Sequence, residues 1–219
     1  GRVGGDTVML SGTLENRMGG DLGNGPEDRI TIAGGTLTNA AGITVDATLL
    51  GGALRHLSTG KLTAVLGLAA GSVENAGTMT GLIAQSGGSL TNRASAMLGS
   101  LAQDGGVAEN AGVILGGSTV AGGMMTNQET GQMAGLALSG GTMRNLGTIA
   151  GPVEANGGML RNGATGQIAM LAMTGASAGL NEGSLGTLRL EAGTFDNAAT
   201  GETGDVTLEA GTLNNSGAL

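Results

Sequence analysis

The chain has 219 residues, a net charge of −8, no cysteine, 47 glycines, two prolines and a single aromatic residue, Phe195. That charge argues against nucleic acid and anionic membrane surfaces as partners, the missing cysteines remove disulfide and thiolate chemistry, and no apolar run of about 18 residues is present to enter a membrane. Two prolines without a glycine triplet exclude collagen, and 40% hydrophobic residues argue against a disordered tract, which leaves a tightly turned repeat protein.

Residues 1–35 read as a first coil with a protrusion. "VMLSGTLEN" opens a strand-rich lap, and "RMGGDLGNGPEDR" interrupts it. Residues 17–28 are expected to form a loop that leaves the rod. Its oxygen-bearing residues Asp21, Glu27 and Asp28 could hold calcium, but the repeat spacing of calcium-binding loops is absent, so a solvated loop is the primary expectation.

From residue 36 to 219 one phrase recurs. "GGTLTNAAGITV" starts at Gly34 and "AGTLNNSGAL" at Ala210. Each puts glycine before an apolar residue and asparagine two residues after it. The markers are Asn16, Asn39, Asn75, Asn92, Asn110, Asn127, Asn145, Asn162, Asn181, Asn197 and Asn215, with His56 filling one vacancy. From Asn39 onward they lie 16 to 19 residues apart, mostly 17 or 18. Markers followed by a long spacer ("NQETG", "NGATG") alternate with markers followed by a short one ("NAG", "NLG"). Asn92, Asn127, Asn162 and Asn197 are each 35 residues apart, so the unit is a pair of coils.

Inside a coil, runs of three to five residues alternate apolar with small or polar and are bounded by glycine. That is the strand signal. The expected fold is therefore all-β: a three-sided parallel β-helix, or β-solenoid, with 17–18 residues per coil and about 12 coils. At roughly 4.8 Å per coil the rod is near 55–60 Å long. One inward column is Leu37, Leu54, Val73, Leu90, Ala108, Met125, Met143, Leu160, Phe195 and Leu213, with Gly179 as its gap. A narrow interior suits Leu, Met, Val, Ile and Ala better than stacked rings, and glycine supplies positive φ at corners. Asparagine also tolerates left-handed backbone, and its amides, one coil apart, can bond up the stack as a ladder. The competing reading is a turn asparagine facing water. His56, the one histidine, is expected to replace asparagine as a hydrogen-bonding corner residue.

No cofactor or metal site is expected, and no catalytic constellation is evident. Glu74, Glu109, Glu154, Glu191, Asp196, Glu202, Asp205 and Glu209 are scattered, densest near the C-terminal end. A carbohydrate-active β-helix enzyme using Asp196, Glu202 and Asp205 is the rival reading. An outward column of Thr36, Ser72, Ser89, Thr142, Thr194 and Thr212 suggests ordered water, but Val107, Met124 and Met159 interrupt it.

"GGTLTNAAGITV", "GSVENAGTMTG", "GGTMRNLGTIAG" and "GTLNNSGAL" resemble the repeats of filamentous-haemagglutinin-like adhesins and autotransporter adhesin passengers of Gram-negative bacteria. The resemblance covers most of residues 30–219. It implies a right-handed β-helix, export to the cell surface and a role as a rigid stalk, without carrying over any site residue. The strict coil pair, the near absence of aromatics and the methionine-rich core depart from common members. The expected function is a structural rod of an extracellular adhesin or filament. A host or cell-surface glycan or protein would be met through regions not seen here. Both ends read as ordinary coils, so continuation into a longer chain or end-to-end self-association is expected. A secreted or phage fibre shaft, which would be trimeric, is a further alternative.

Overall fold

A computed structural model describes residues 1–23 and 25–219 of the chain. Among them every element is a β-strand, and every strand pairing is parallel. The chain winds as a solenoid with three pairing faces, so the expected class holds.

The first face carries the marker phrase. Twelve four-residue strands, Thr13–Asn16 to Thr212–Asn215, stack in register in the described chain. Their second residue is the apolar column read from sequence, and Leu160, Gly179, Phe195 and Leu213 are indeed successive partners. The second face is only two residues wide, as at Val113–Ile114, and the third is three wide, as at Ser118–Val120. In several laps these two faces fuse into one bent strand, such as Thr78–Gln85, Met97–Gln103 and Gln167–Met173.

Alternation decides which side chains enter. Ile83 and Leu101 face inward on the third face, while Ala84 and Ala102 between them and the lap edge face out. The interior is a continuous apolar column system of Leu, Ile, Val, Met and Ala. Phe195 is the one aromatic residue, and it lies over the one glycine of its column. A Cβ on Gly179 would come within 2.6 Å of the Phe195 ring, so the ring occupies two layers' worth of space. Large opposite small is how a close-packed interior keeps its volume filled.

The uneven spacing of the markers has a simple geometric source. Short-form laps reach the second face quickly, from Asn145 to Ile149. Long-form laps use an extra turn, from Asn127 to Met133. Long laps recover one residue at the next corner, where Ala134 and Gly135 span what Ala150, Gly151 and Pro152 span in the short lap. The net step is therefore 18 after Asn127 and 17 after Asn145. Where a three-residue corner lies against a two-residue corner the ladder bulges, between Met79 and Leu82 and between Ile149 and Pro152. The outlying steps have equally local sources. The step of 19 after His56 is a long lap that keeps a three-residue corner, Thr63, Ala64 and Val65. The step of 19 after Asn162 carries one additional residue in Thr174–Ala178, and the step of 16 after Asn181 lacks one at Gly186–Thr187.

The same bookkeeping corrects the expected 17–28 excursion. Asp21–Leu22 is a strand of the second face, paired to Arg2–Val3 on one side and Gly42–Ile43 on the other. The surplus that lengthens the Asn16-to-Asn39 step to 23 sits at the corner between Leu22 and Ile30. Asp28 ties this corner down by accepting from the amides of Gly5 and Gly25. Asn24, which the expected loop includes, lies outside the described residues. Two short strands, Arg2–Val3 and Thr7–Met9, precede the first marker strand and add part of a lap.

Candidate functional site

The most organised polar feature is the column of marker side chains. Each sits at the last position of its strand, two residues beyond an inward apolar residue, and so points into the solenoid. Asn39, Asn75, Asn92, Asn127, Asn145 and Asn181 are 0% exposed, which rejects the reading as turn residues facing water. Nor do they use left-handed backbone. Among the described non-glycine residues only Ser95 has positive φ, and the tight corners are taken by glycines such as Gly141, at φ 66°. Asparagine is there for its amide, not for its backbone.

The amides form a directional ladder. Asn92 Nδ2 donates to Asn110 Oδ1 at 2.7 Å, Asn110 to Asn127 at 2.8 Å, Asn127 to Asn145 at 2.8 Å and Asn145 to Asn162 at 2.8 Å. The same bond joins Asn75 to Asn92, Asn162 to Asn181, Asn181 to Asn197, Asn197 to Asn215 and Asn16 to Asn39. Every donor points toward the C-terminal lap. The amide also finds backbone carbonyls. In short laps these lie two residues on, as for Asn145 to Gly147 O at 3.1 Å, or on the next lap, as for Asn110 to Gln132 O at 3.3 Å. In long laps they lie four residues on, as for Asn127 to Gly131 O at 3.2 Å and Asn162 to Gly166 O at 3.1 Å. A buried amide so satisfied avoids the desolvation penalty of about 1–3 kcal/mol that an orphan would carry.

The Thr-Gly pair of the long spacer has a defined role. Thr130 Oγ1 donates to Ala111 O at 2.7 Å and Thr165 Oγ1 to Leu146 O at 2.8 Å, which pins the wider turn to the short lap beneath. The glycine that follows leaves room for the marker. A Cβ on Gly131 or Gly166 would strike the asparagine Oδ1 of its own lap. The Asn92 lap has Ala96 there instead, and its turn distorts, with Ser95 at φ 67°.

His56 departs from the pattern. Its Nδ1 lies 3.0 Å from Asn39 Nδ2 and its Nε2 lies 3.2 Å from Thr78 O. An amide can only donate and a carbonyl can only accept at these atoms, so the ring is neutral with the proton on Nε2. Burial pushes its pKa below the ordinary histidine range, and the carbonyls of Thr78 and Gly60 oppose this in part.

Sequence reading missed two further buried amides. Gln85 and Gln103 are partners on adjacent laps of the third face, at inward positions where other laps carry Leu, Ile, Val, Met or Ala. Each Nε2 bonds two carbonyls, those of Gly88 and Val107 for Gln85 and of Gly106 and Met124 for Gln103. The signal was present as a polar residue in an apolar column, "IAQ" and "LAQ", but the third-face register had to be known first.

The carboxylates of the rival enzyme reading do not converge. Asp196 is on the outer side of the marker face, where Asn214 donates to it at 2.6 Å. Glu202 belongs to the second face, and Asp205 to the corner between second and third. Glu191 and Glu209 both pair with Arg189. The hydroxyl column of Thr36, Ser72, Ser89, Thr142, Thr194 and Thr212 does share one outward register, which Ala53 and Ala178 interrupt in addition to Val107, Met124 and Met159. Among the surface depressions, one of about 500 Å³ lies over Thr13, Thr36, Thr38, Arg55, Ser72 and Glu74, and one of about 480 Å³ over Gly117, Gly135, Leu136, Pro152 and Glu154. Among the described residues no group of three or more His, Asp or Glu side chains is placed to hold a metal, and no helix is long and apolar enough to cross a membrane. No protein-family model, curated protein or solved structure matches the chain.

Proposed function

We propose that this chain is a stiff spacer, a rod segment of an extracellular or cell-surface adhesin or filament, and that it carries no catalysis. The observation that supports this reading is the ladder itself. Most laps spend a fully buried amide, hydrogen-bonded to both neighbours, on holding one lap to the next. Solenoid stability is a sum of such nearest-neighbour terms, so a bond at nearly every interface serves length and rigidity. The sequence resemblance to adhesin repeats supports the surface location, and binding of a glycan or protein then falls to other regions of the longer molecule.

The ladder's direction also bears on continuation. Nδ2 donates toward the C-terminal side throughout, so a further lap, from the same chain or a second copy, extends the pattern without reversing any bond. Edge strands of a sheet recruit such partners.

Electron microscopy and small-angle scattering of the purified chain test the rod. A particle near 55–60 Å long, or fibres with a repeat of that length, is expected from roughly 12 laps of about 4.8 Å. A compact particle would overturn it. Surface display is tested separately with an epitope inserted at the corner Gly25–Asp28. Antibody labelling of intact cells is expected, and labelling only after lysis would remove the adhesin reading while leaving the rod. Cleavage of any soluble polysaccharide, lost on substituting Asp196, Glu202 or Asp205, would favour the enzyme instead.

A further inference from the structure

The ladder changes its nature at one rung. Asparagine both accepts from the lap before and donates to the lap after. Neutral imidazole has one acceptor and one donor, and here both are used elsewhere, on Asn39 and on Thr78 O. Nothing remains for Asn75, whose Oδ1 accepts from the Gly77 amide instead. The column is therefore two ladders, Asn16–Asn39–His56 and Asn75 onward, meeting at a rung without a side-chain bond across it.

We propose that His56 is an acid-labile joint, at which mild acidification loosens the laps between Asn39 and Gly77 before any other part of the rod. Protonation of Nδ1 would set an N–H against the Asn39 amide, donor against donor, 3.0 Å apart. The ring has little room to turn away. A Cβ on Gly60 would sit 2.8 Å from its Cε1, and one on Gly77 3.0 Å from its Cδ2. A cavity of about 180 Å³ adjoins the rung, lined by Arg55, Leu57, Glu74, Ala76 and Arg93 as well as His56. The charged groups around the rung offer the imidazolium no compensation. Glu74 is engaged by Arg93, Arg55 is itself a cation, and Lys61 follows the Gly60 turn. Asn39, Asn75 and Thr78, which face the ring from the neighbouring laps, carry no charge.

The sign follows from linkage. The folded histidine binds its proton less readily than the unfolded one, whose ordinary value is 6.5. Stability is complete above that value and declines as pH falls from it toward the lower folded value.

Amide hydrogen exchange across the full chain between pH 7.5 and 5, corrected for intrinsic rates, tests the joint. Opening at residues 39–77 is expected to rise by up to about tenfold per pH unit below 6.5, while residues 110–162 hold. His56→Asn is expected to abolish the regional rise. Nitrogen-15 shifts of the imidazole are expected to report the Nε2–H tautomer at neutral pH. Equal acid sensitivity in both regions, or an unchanged profile in His56→Asn, would overturn the proposal. If that variant does not fold, a charged imidazolium at pH 5 with intact protection at residues 39–77 in the parent chain would do so.

Discussion

The two stretches on either side of His56 make an instructive pair. Beyond Asn75 the laps alternate long and short, and each passes an asparagine bond to the next. Before His56 the chain spends 23 residues between two markers, and the surplus lies between the strands that end at Leu22 and start at Ile30. Yet the marker strand Thr13–Asn16 pairs with Thr36–Asn39 in the same register as every later pair. The difference teaches where a solenoid keeps its tolerance. Pairing faces are fixed by hydrogen bonds and by inward columns, so surplus residues collect at corners, where loop closure grows only slowly in cost with length.

The comparison is broken most severely in the core of the regular stretch. Phe195→Ala is expected to cost about 3–5 kcal/mol, because the void it leaves faces a glycine that cannot fill it. Phe195→Leu combined with Gly179→Ala is expected to recover a large part of that loss in denaturant midpoint, and no recovery would mean the two layers are not complementary. Next in size, Asn145→Ala removes a fully buried rung and is expected to cost about 1–3 kcal/mol. Asn16→Ala, at the edge of the irregular stretch with one ladder neighbour instead of two, is expected to lose less. Equal losses would show that the ladder gains nothing from being continuous.

Smaller effects sharpen the picture of the spacers. Thr165→Val deletes the bond to Leu146 O while keeping the side chain's shape, and about 0.5–1.5 kcal/mol should be lost. Local exchange at Gly163–Gly166 should rise with it. Ser95→Gly is the one change expected to stabilise, by roughly 1 kcal/mol or less, since it relieves a left-handed serine. A lower melting temperature would mean that the distorted turn is held by contacts worth more than its strain.

Much of this was legible in the chain itself. Leu37, Leu54, Val73, Leu90, Ala108, Met125, Met143 and Leu160 alternate with polar neighbours at a fixed distance before an asparagine, which suffices to assign face and lap. The asparagine ladder was the favoured reading of the repeat, and it holds. "TLTN" also suits a water-facing turn, and the position of the next lap decides that the amide meets another amide. Asp21–Leu22 was hidden for a related reason. Two residues carry no periodicity, and their strand exists because Val3 and Ile43 lie on either side.

The repeat, the coil pair, the apolar columns and the identity of the rungs were thus settled by the sequence alone, because each is a local pattern copied along the chain. The stacked structure decided how each rung is satisfied, where the odd residues are stored, and that Gln85 and Gln103 lie inside. It also decided that His56 interrupts what the asparagines continue. These depend on which atoms of one lap meet those of the next, and hydrogen-bond direction between laps is not a property of either lap by itself.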